Sequence, residues 1–420
     1  MPTKAQRGEL VLKRIFIFFI ICIAFFLTET QIFAEQNVWT SATNLTNKID
    51  RVSLVTVNGK IYSIGGHDPN KFYDTIDVYD PETKAWTQKG KLPTARGTVS
   101  AAVYDGKIYI TGGEPINDKL DIYDPVTNEW KKGKSLPKVV AGYASQFVNG
   151  KLLVIGGFNM YNNASADVYE YDPSTDSWTT KASLSTPRRY ITSALVNGKV
   201  YAIGGYDESK GLLSSIEEYD PQSNTWITKS PMSTKRMGLT AAVLNNEIYV
   251  IGGNTATATL SGPATGEVEK YNPKTDTWST VTSMPTARGL LSAVSLNNAI
   301  YVASGSNSSN YYSVFEKYTP GDDWTSPSQP GDAGTSQPDN PVGDRAIVVV
   351  TMTTGLEKEF DLSMKEVNDF IAWYEGKQAG SGSASYAINK HDNNKGPFSS
   401  RKDYVLFDRI LTFEVSKYTK

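Results

Sequence analysis

Residues 96–130 read RGTVSAAVYDGKIYITGGEPINDKLDIYDPVTNEW, and variants of this stretch recur six times along the chain. Two β-prone runs meet at Asp105-Gly106, a pair that tolerates the positive φ angles of a type I′ hairpin turn. The other copies carry Asn-Gly or Asn-Asn at the same place, at Asn58-Gly59, Asn149-Gly150, Asn197-Gly198, Asn245-Asn246 and Asn297-Asn298. We therefore predict that every copy begins with a tight β-hairpin.

Three further features recur in each copy, and together they predict two more strands. A glycine doublet, Gly112-Gly113, follows the hairpin, and it decays to Ser304-Gly305 in the last copy. Tyr123-Asp124-Pro125 then predicts a second tight turn, and Trp130 follows as a large packing residue. The tryptophans from Trp39 to Trp324 recur every 44 to 52 residues. Four short strands at this period are typical of the blades of a β-propeller.

With its glycine doublets, Tyr-Asp-Pro turns, tryptophans and Pro-x-x-Arg segments, the chain resembles the kelch-repeat β-propeller family, in its secreted bacterial form. The resemblance covers Trp39 to Trp324 and implies an all-β, six-bladed propeller. Seven tryptophan units accompany only six hairpins, so one terminal unit must complete the last blade. We expect Trp39 to supply its fourth strand, since Asp322-Asp323 disfavour a strand at the rival unit, Trp324.

The first residues resemble a signal peptide. Lys4, Arg7, Lys13 and Arg14 precede the apolar run from Ile15 to Leu27, and Ala34 provides a small residue for cleavage. The apolar run is shorter than the roughly 20 residues that span a bilayer. We therefore expect cleavage after Ala34 and no stable membrane span afterwards. The single cysteine, Cys22, lies in this segment, so the mature chain would have no disulfide, as suits the surface of a Gram-positive bacterium or its medium.

Composition excludes several functions. The formal net charge is −2, and the sequence lacks the basic stripe with interleaved aromatic residues that is typical of nucleic-acid-binding proteins. Only two histidines are present, His67 and His391, and neither a zinc-binding spacing nor a Ser/His/Asp set can be assembled from them. The copper oxidases built on this fold use histidines and a Tyr-Cys crosslink, which this chain cannot provide. We expect no metal and no cofactor, and we expect His67 to be a solvated loop residue.

The candidate ligand site follows from the loops. Those after the glycine doublets vary in length, and function in propellers concentrates on variable loops over a rigid scaffold. Arginines recur shortly before the hairpins, and the kelch resemblance implies that such arginines hold acidic partners; pairing with a loop carboxylate or a carbonyl is the structural alternative. The candidate ligand-binding residues are Arg51, Arg96, Arg188, Arg236, Arg288, Glu114 and Asp207. We expect no catalytic residue among them.

The expected function is binding, at the cell surface or in the medium, of a protein or glycan ligand of anionic character by a monomeric propeller. The alternative is a sugar-acid epimerase or mutarotase, because periplasmic kelch relatives include a sialic acid epimerase. Such an enzyme would use one carboxylate as general acid or base and an arginine to hold the sugar acid.

The remaining chain is predicted to form a spacer and a small domain. Prolines among Gly, Ser and Asp mark residues 327–344 as a linker. In residues 345–420, strands at Ala346–Thr351 and Lys358–Leu362 precede a helix that begins with the capping box Ser363 to Glu366. Further strands are predicted at Ser383–Asn389 and Tyr404–Val415, which gives a ββαββ, α+β module similar to tail modules on other exported Gram-positive proteins. The signal peptide would be 1–34 and the propeller 35–326.

Overall fold

The computed structural model describes residues 37–256 and 262–321, together with the strands and six helical residues of the segment from 345 to 418. These residues form two compact units, one on each side of residues 322–344. The predicted signal peptide, the linker and Trp324 lie outside the described residues. Among the described residues, we find no helical segment with the length and hydropathy of a membrane span.

The first unit consists of six antiparallel four-stranded sheets, which we call blades 1 to 6 in chain order. Their strands are, for blade 1, Ser53–Val57, Lys60–Ile64, Thr75–Asp80 and Ala85–Lys91; for blade 2, Ser100–Tyr104, Lys107–Thr111, Leu120–Asp124 and Glu129–Gly133; for blade 3, Ala144–Val148, Lys151–Ile155, Val168–Asp172 and Ser177–Thr180; for blade 4, Thr192–Val196, Lys199–Ile203, Ile216–Asp220 and Thr225–Lys229; for blade 5, Thr240–Leu244, Glu247–Ile251, Val268–Asn272 and Thr277–Val281; and for blade 6, Ser292–Leu296, Ala299–Ala303, Phe315–Thr319 and Val38–Ser41.

The blades form a closed ring. The first strand of each blade lies beside the first strands of both neighbours, and blade 6 lies beside blade 1. Val38–Ser41 completes blade 6 by pairing antiparallel with Phe315–Thr319, and in this register Trp39 lies directly opposite Tyr318. The prediction that Trp39 supplies the closing strand is confirmed. A ring sealed in this way leaves no inner sheet edge exposed for pairing with other chains.

Backbone angles confirm the turn chemistry. All six hairpin turns have positive φ at both central residues, including the Asn245-Asn246 and Asn297-Asn298 turns that lack glycine. Asn tolerates this region better than other residues with a side chain, because its short amide can hydrogen-bond locally. A further short hairpin, Tyr206–Asp207 with Gly211–Leu212, lies in the loop that follows the glycine doublet of blade 4.

Aromatic pairs fill the space between blades. In every blade the tryptophan packs against the buried tyrosine of the third strand, with ring centroids 4.8 to 5.3 Å apart. Such pairs contribute about 0.5–1.5 kcal/mol beyond the area they bury. Indole N–H groups also reach the preceding blade: Trp178 donates to the carbonyl of Lys134, and Trp226 donates to that of Ala182, both at 2.8 Å. The predicted packing role of the tryptophans is confirmed.

The second unit contains a three-stranded sheet in the order Glu357–Ser363, Arg345–Met352, Ile410–Tyr418. A separate pair joins Ser385–Asn389 to Lys402–Leu406. Helical residues Val367 and Phe370 are buried and pack with the apolar residues of the larger sheet. The order differs from the predicted ββαββ, because the residues expected to form one strand, Tyr404–Val415, belong to two different sheets.

Candidate functional site

Four of the arginines predicted to bind a ligand are buried ion-pair partners. Arg96, Arg188, Arg236 and Arg288 have no exposed surface. Each pairs with the carboxylate at the second position of the third strand of its own blade, at 2.6 Å in three of the four blades; the pairs are Arg96–Asp121, Arg188–Glu217, Arg236–Glu269 and Arg288–Glu316. The prediction that these four arginines contact a ligand directly is therefore corrected. Their guanidinium groups are enclosed and pair with carboxylates of the protein, which was the structural alternative.

These arginines also connect neighbouring blades. The carbonyl of Arg236 accepts a hydrogen bond from Gly205 of blade 4, while its guanidinium donates to the carbonyl of Gly252 in blade 5. Burial lowers the pKa of Arg236, and the Glu269 carboxylate opposes this shift. The arginine therefore joins the glycine doublets of two blades, which explains why the doublets and the arginines recur together.

Blades 1 and 3 lack this ion pair. In blade 3, Val140 stands at the arginine position and Tyr169 at the carboxylate position, so both charges are absent together. In blade 1 the arginine position is held by Ile49, whose carbonyl accepts from Gly305, while Asp77 keeps the carboxylate. Burial raises the pKa of Asp77, as expected for a carboxyl group without a nearby cation.

A ring of six residues surrounds the propeller axis on the side of the variable loops, and we call it the mouth ring: Arg51, Thr98, Gly142, Tyr190, Gly238 and Leu290. All six have positive φ, between 52° and 61°. Backbone hydrogen bonds join them across blades, for example from Leu290 to Gly238 at 2.7 Å and from Arg51 to Leu290 at 2.9 Å. Left-handed backbone costs about 1–2 kcal/mol for most residues with a side chain. Such strain often accompanies functional sites.

A polar pocket of about 420 Å³ opens beside the mouth ring, and we call it the arginine pocket. Its wall combines residues from blades 1, 3, 4 and 6, namely Asp50, Arg51, Asn162, Arg189, Tyr190, Leu290, Ser306–Ser309 and Tyr311. Burial, together with the nearby Glu114 carboxylate, raises the pKa of Tyr190, so this phenol stays neutral. The pocket has the size of a small-molecule site and offers both hydrogen-bond donors and acceptors.

Arg51 lines this pocket and pairs with Glu114, and both residues were predicted as ligand contacts. Arg51 Nη1 lies 3.0 Å from Glu114 Oε2, and the hydroxyl of Thr98 donates to the same carboxylate oxygen. The side chains are 15% and 21% exposed, respectively. Unlike the four buried arginines, Arg51 is therefore accessible from the pocket. The sequence did carry a signal for this different role: Arg51 lies two residues later in its repeat than the four buried arginines do in theirs.

Arg189 is a pocket residue that the sequence analysis missed. Its Nε lies 3.1 Å from Glu208 Oε1, and its Nη1 donates to Asn162 Oδ1 at 2.5 Å. The guanidinium lies over the rings of Tyr206 and Tyr190, 5.0 and 5.6 Å from their centroids. Two consecutive arginines follow Pro187, and the second was the available signal: blade 4 alone places an arginine immediately after the buried one.

The buried Asp50, which lines the same pocket, lies next to the partly buried His67. Asp50 is 1% exposed, and its Oδ1 lies 3.4 Å from His67 Nδ1 and 3.6 Å from Arg51 Nε. Among the described residues, none of these three atoms has a hydrogen-bond partner. The Ser306 hydroxyl donates to Asp50 Oδ2 at 2.8 Å. His67 is only 18% exposed, so its predicted solvated position is wrong. The serine contacts the aspartate rather than the histidine, which is not the arrangement of an activated nucleophile.

Asp207 has a local structural role. It is 5% exposed, and its Oδ1 accepts hydrogen bonds from the backbone N–H groups of Ser209 and Lys210 at 3.0 and 2.9 Å. These bonds hold the hairpin turn of its own loop. Burial raises the pKa of Asp207, but the Ser209 hydroxyl and the two backbone N–H groups together hold it below its usual value. Asp207, predicted as a ligand contact, does not line the arginine pocket, and the neighbouring Glu208 is the residue that pairs with the pocket residue Arg189.

A larger hollow, of about 660 Å³, lies between blades 2 and 3 on the side of the short turns. Its walls include the ion pairs Lys107–Asp124 and Lys151–Asp172. The same Lys–Asp pair recurs in blade 1 as Lys60–Asp80 and in blade 4 as Lys199–Asp220, both at 2.7 Å. These charges belong to the repeat, whereas those of the arginine pocket are particular to individual blades. Among the described residues, no group of three His, Cys, Asp or Glu could hold a metal ion.

Several known proteins are similar to parts of this chain. Kelch-like protein 21 of Homo sapiens is 37% identical over 68 residues, 14% of this chain and 11% of that protein. A Clostridium acetobutylicum protein of uncharacterised function is 35% identical over 82 residues, 20% of each chain. The chain thus spans a fifth or less of the length of these curated relatives.

The fold comparison covers much more of the chain. The solved structure of YjhT aligns with a TM-score of 0.56 over 67% of this chain and 95% of that one, at 18% identity, which establishes a shared fold. The profile of the family described as Attractin/LZTR1 beta-propeller matches residues 61–315, from the second strand of blade 1 to the third strand of blade 6. The chain therefore belongs to the Attractin/LZTR1 beta-propeller family, and its propeller is of the kelch type.

Proposed function

We propose that this propeller binds a glycan in the arginine pocket. The observation that carries the proposal is the composition of the pocket, where serine hydroxyls and Asn162 lie beside the partly exposed Arg51, the largely buried Arg189 and the buried carboxylate of Asp50. A sugar hydroxyl donates one hydrogen bond and accepts others, so a wall that offers both kinds of partner suits it. Tyr311, which is partly exposed at the pocket wall, adds ring surface against which a sugar can pack.

The charges at the pocket favour a neutral glycan over the anionic ligand expected from the sequence. Arg51 already faces Glu114 and Asp50, and Arg189 faces Glu208. Two guanidinium groups thus stand against three carboxylates. A strongly anionic ligand would need an unbalanced positive charge to offset the loss of its hydration, and the four arginines that could have supplied that charge are enclosed.

A glycan array followed by titration calorimetry tests the proposal, with neutral oligosaccharides, sugar acids and sulfated glycans printed together. For the glycan that binds best, we expect Arg189→Ala to weaken binding by roughly 10- to 100-fold, the effect of losing charge-assisted hydrogen bonds of about 1.5–3 kcal/mol. Lys107→Ala, in the larger hollow between blades 2 and 3, is the matched control and should leave affinity unchanged. Binding that survives Arg189→Ala but disappears in Lys107→Ala would place the site on the opposite side.

An enzymatic alternative rests on the Asp50–His67 pair. A buried carboxylate next to an imidazole can transfer protons to and from a bound sugar, as a mutarotase requires. NMR exchange spectroscopy of free reducing sugars measures anomeric interconversion directly. This alternative predicts faster exchange with the wild-type protein than with Asp50→Asn, whereas a binding propeller leaves the exchange rate of the free sugar unchanged.

We also propose that the protein is exported, with residues 1–34 removed as a signal peptide. The basic residues and short apolar run of that segment support this. N-terminal sequencing of the protein recovered from the culture medium or cell surface should begin at Glu35. Protein retained inside the cell with Met1 intact would contradict the proposal.

A further inference from the structure

Two adjacent apolar side chains are exposed at the tip of a variable loop. Met160 is 63% exposed and Tyr161 is 76% exposed, in the loop that follows the glycine doublet of blade 3. Exposed apolar side chains scattered singly need no explanation, but neighbouring ones on a binding face indicate an interaction site. The Met160–Tyr161 tip lies on the side of the propeller that carries the mouth ring.

The loop that carries the tip is well held by hydrogen bonds. Asn159 Oδ1 accepts from the backbone N–H groups of Tyr161 at 2.9 Å and Asn163 at 3.3 Å. Glu208, from the loop of blade 4, accepts from the N–H of Ala164 at 3.0 Å. An aromatic side chain on a loop held in place loses little conformational entropy when a ligand packs against it.

The Met160–Tyr161 tip is continuous with the arginine pocket. The next residue, Asn162, lines the pocket and accepts a hydrogen bond from Arg189 Nη1 at 2.5 Å. Asn162 has a φ of 61°, so the chain turns sharply between the tip and the pocket wall. Glu208 pairs with Arg189 and also holds this loop at Ala164. The same ion pair thus positions the pocket and the tip.

We propose that Tyr161, supported by Met160, is a second sugar subsite, so that the ligand is an oligosaccharide with one unit in the arginine pocket and further units stacked on the Met160–Tyr161 tip. This inference rests on the proposed glycan function. The flat faces of pyranose rings carry C–H groups that pack on aromatic rings, whereas the pocket supplies the polar contacts for the terminal unit. Its volume of about 420 Å³ suits one or two sugar rings, so a longer chain must extend onto the surface.

Chain-length titrations test the inference on the full protein. The probes are glucose, xylose, N-acetylglucosamine and mannose, each with its β-1,4-linked oligomers of two to six units. The wild-type protein should bind the hexamer of the preferred series about tenfold more tightly than the monosaccharide, because further sugar units stack on the aromatic ring of Tyr161. Tyr161→Ala should remove this gain and leave monosaccharide affinity unchanged, whereas Tyr161→Phe should keep it. Val126→Ala is the matched control, since Val126 is an apolar residue of similar exposure, 77%, and lies in the short turn after the third strand of blade 2 rather than on a variable loop.

The outcomes separate the two proposals. The second subsite is overturned if the hexamer still binds more tightly than the monosaccharide in Tyr161→Ala, or if the two bind equally to the wild-type protein. The exposed Met160–Tyr161 tip would then be assigned to contact with a protein partner. An equal loss of monosaccharide and hexamer affinity in Tyr161→Ala also overturns it, because the tip would then act only by positioning the pocket. If the wild-type protein binds no sugar in any series, the glycan function itself fails.

Discussion

The buried arginines illustrate how a single residue can have a structural rather than a binding role. Arg236 and Glu269 are enclosed together, and Arg236 Nη1 donates to the carbonyl groups of Gly252 and Glu267. Breaking a buried pair by removing one partner leaves a charge without compensation, which is costlier than removing both. The four arginine pairs should therefore matter for stability and not for ligand affinity.

We expect Arg236→Ala to reduce the free energy of unfolding by about 3–5 kcal/mol, because the Glu269 carboxylate would stay buried without its cation. Urea unfolding measures this change. Lys235→Ala, at the exposed neighbouring position, should stay within about 0.5 kcal/mol of wild type, and the double variant Arg236→Met with Glu269→Met should be more stable than Arg236→Ala. A loss below about 1 kcal/mol for Arg236→Ala would contradict the assigned role.

The sequence predicted where arginines stand around the ring but not which of them face a ligand. The direction of Arg188 depends on Glu217, 29 residues later, and that partner is recognised only once the strands are aligned. The acidic residue near the start of the third strand, present in every blade except blade 3, was a usable signal, because blade 3 has Val140 and Tyr169 in place of both charges. The Asp50–His67 pair left no comparable signal, since it forms between segments on either side of a hairpin.

At the scale of the blade, glycines act in two distinct ways. Gly198, in a hairpin turn, has a φ of +72°, and a Cβ there would meet nothing within 4 Å. Gly205, in a doublet, has a φ of +101°, and a Cβ would lie 2.5 Å from Ile191 Cγ2 and 2.8 Å from the Arg189 carbonyl oxygen. The first position requires only backbone freedom, while the second also requires that the side chain be absent.

We therefore expect Gly198→Ala to cost about 1 kcal/mol of unfolding free energy, and Gly205→Ala to cost clearly more. Chemical denaturation of the two variants compares them directly, and each serves as the other's control. Because Gly205 lies against Arg189, its variant should also weaken glycan binding, whereas Gly198→Ala should not. Equal destabilisation by the two substitutions would show that close packing at the doublet has no separate effect.

Blade elements were predicted well because each blade carries its own turn chemistry: an Asn-Gly, Asp-Gly or Asn-Asn hairpin turn, a glycine doublet that decays to Ser304-Gly305 in blade 6, and a turn with proline after the third strand. The tail module lacked such marks. Neither glycine nor proline separates Leu406 from Ile410, so the sequence indicated one strand where the structure has two in different sheets. A change of sheet depends on long-range pairing, here with Ser385–Asn389 on one side and Arg345–Met352 on the other.

At the scale of the whole molecule, tyrosines between the blades should make stability sensitive to alkaline pH. Burial raises the pKa of Tyr219 to about 12, and it raises the pKa values of Tyr123, Tyr171 and Tyr271 as well. An unfolded tyrosine has a pKa of about 10. Since the folded values are higher, this contribution to stability is complete below about pH 10 and declines as the pH rises towards 12.

We expect the melting temperature to fall progressively between about pH 10 and pH 12. Absorbance at the phenolate band should show tyrosines ionising at higher pH in the folded protein than in concentrated urea, which is the internal control. Coincident phenolate titrations in the folded and unfolded protein would contradict the burial of these side chains between blades.

Ring closure also creates the arginine pocket, because it brings Asp50 and Arg51 of blade 1 beside Ser306–Ser309 of blade 6. Closure is tested most directly by a disulfide across the last strand pair, with Thr40→Cys and Lys317→Cys at directly opposed positions and Cys22→Ser to remove the natural thiol. Directly opposed strand residues have the Cα separation that a disulfide requires. Mass spectrometry should find this disulfide in nearly all of the oxidised protein, with little crosslinking in the register control Thr40→Cys with Thr319→Cys. No crosslink between positions 40 and 317 in the folded protein would contradict the closed six-bladed ring and the pocket that depends on it.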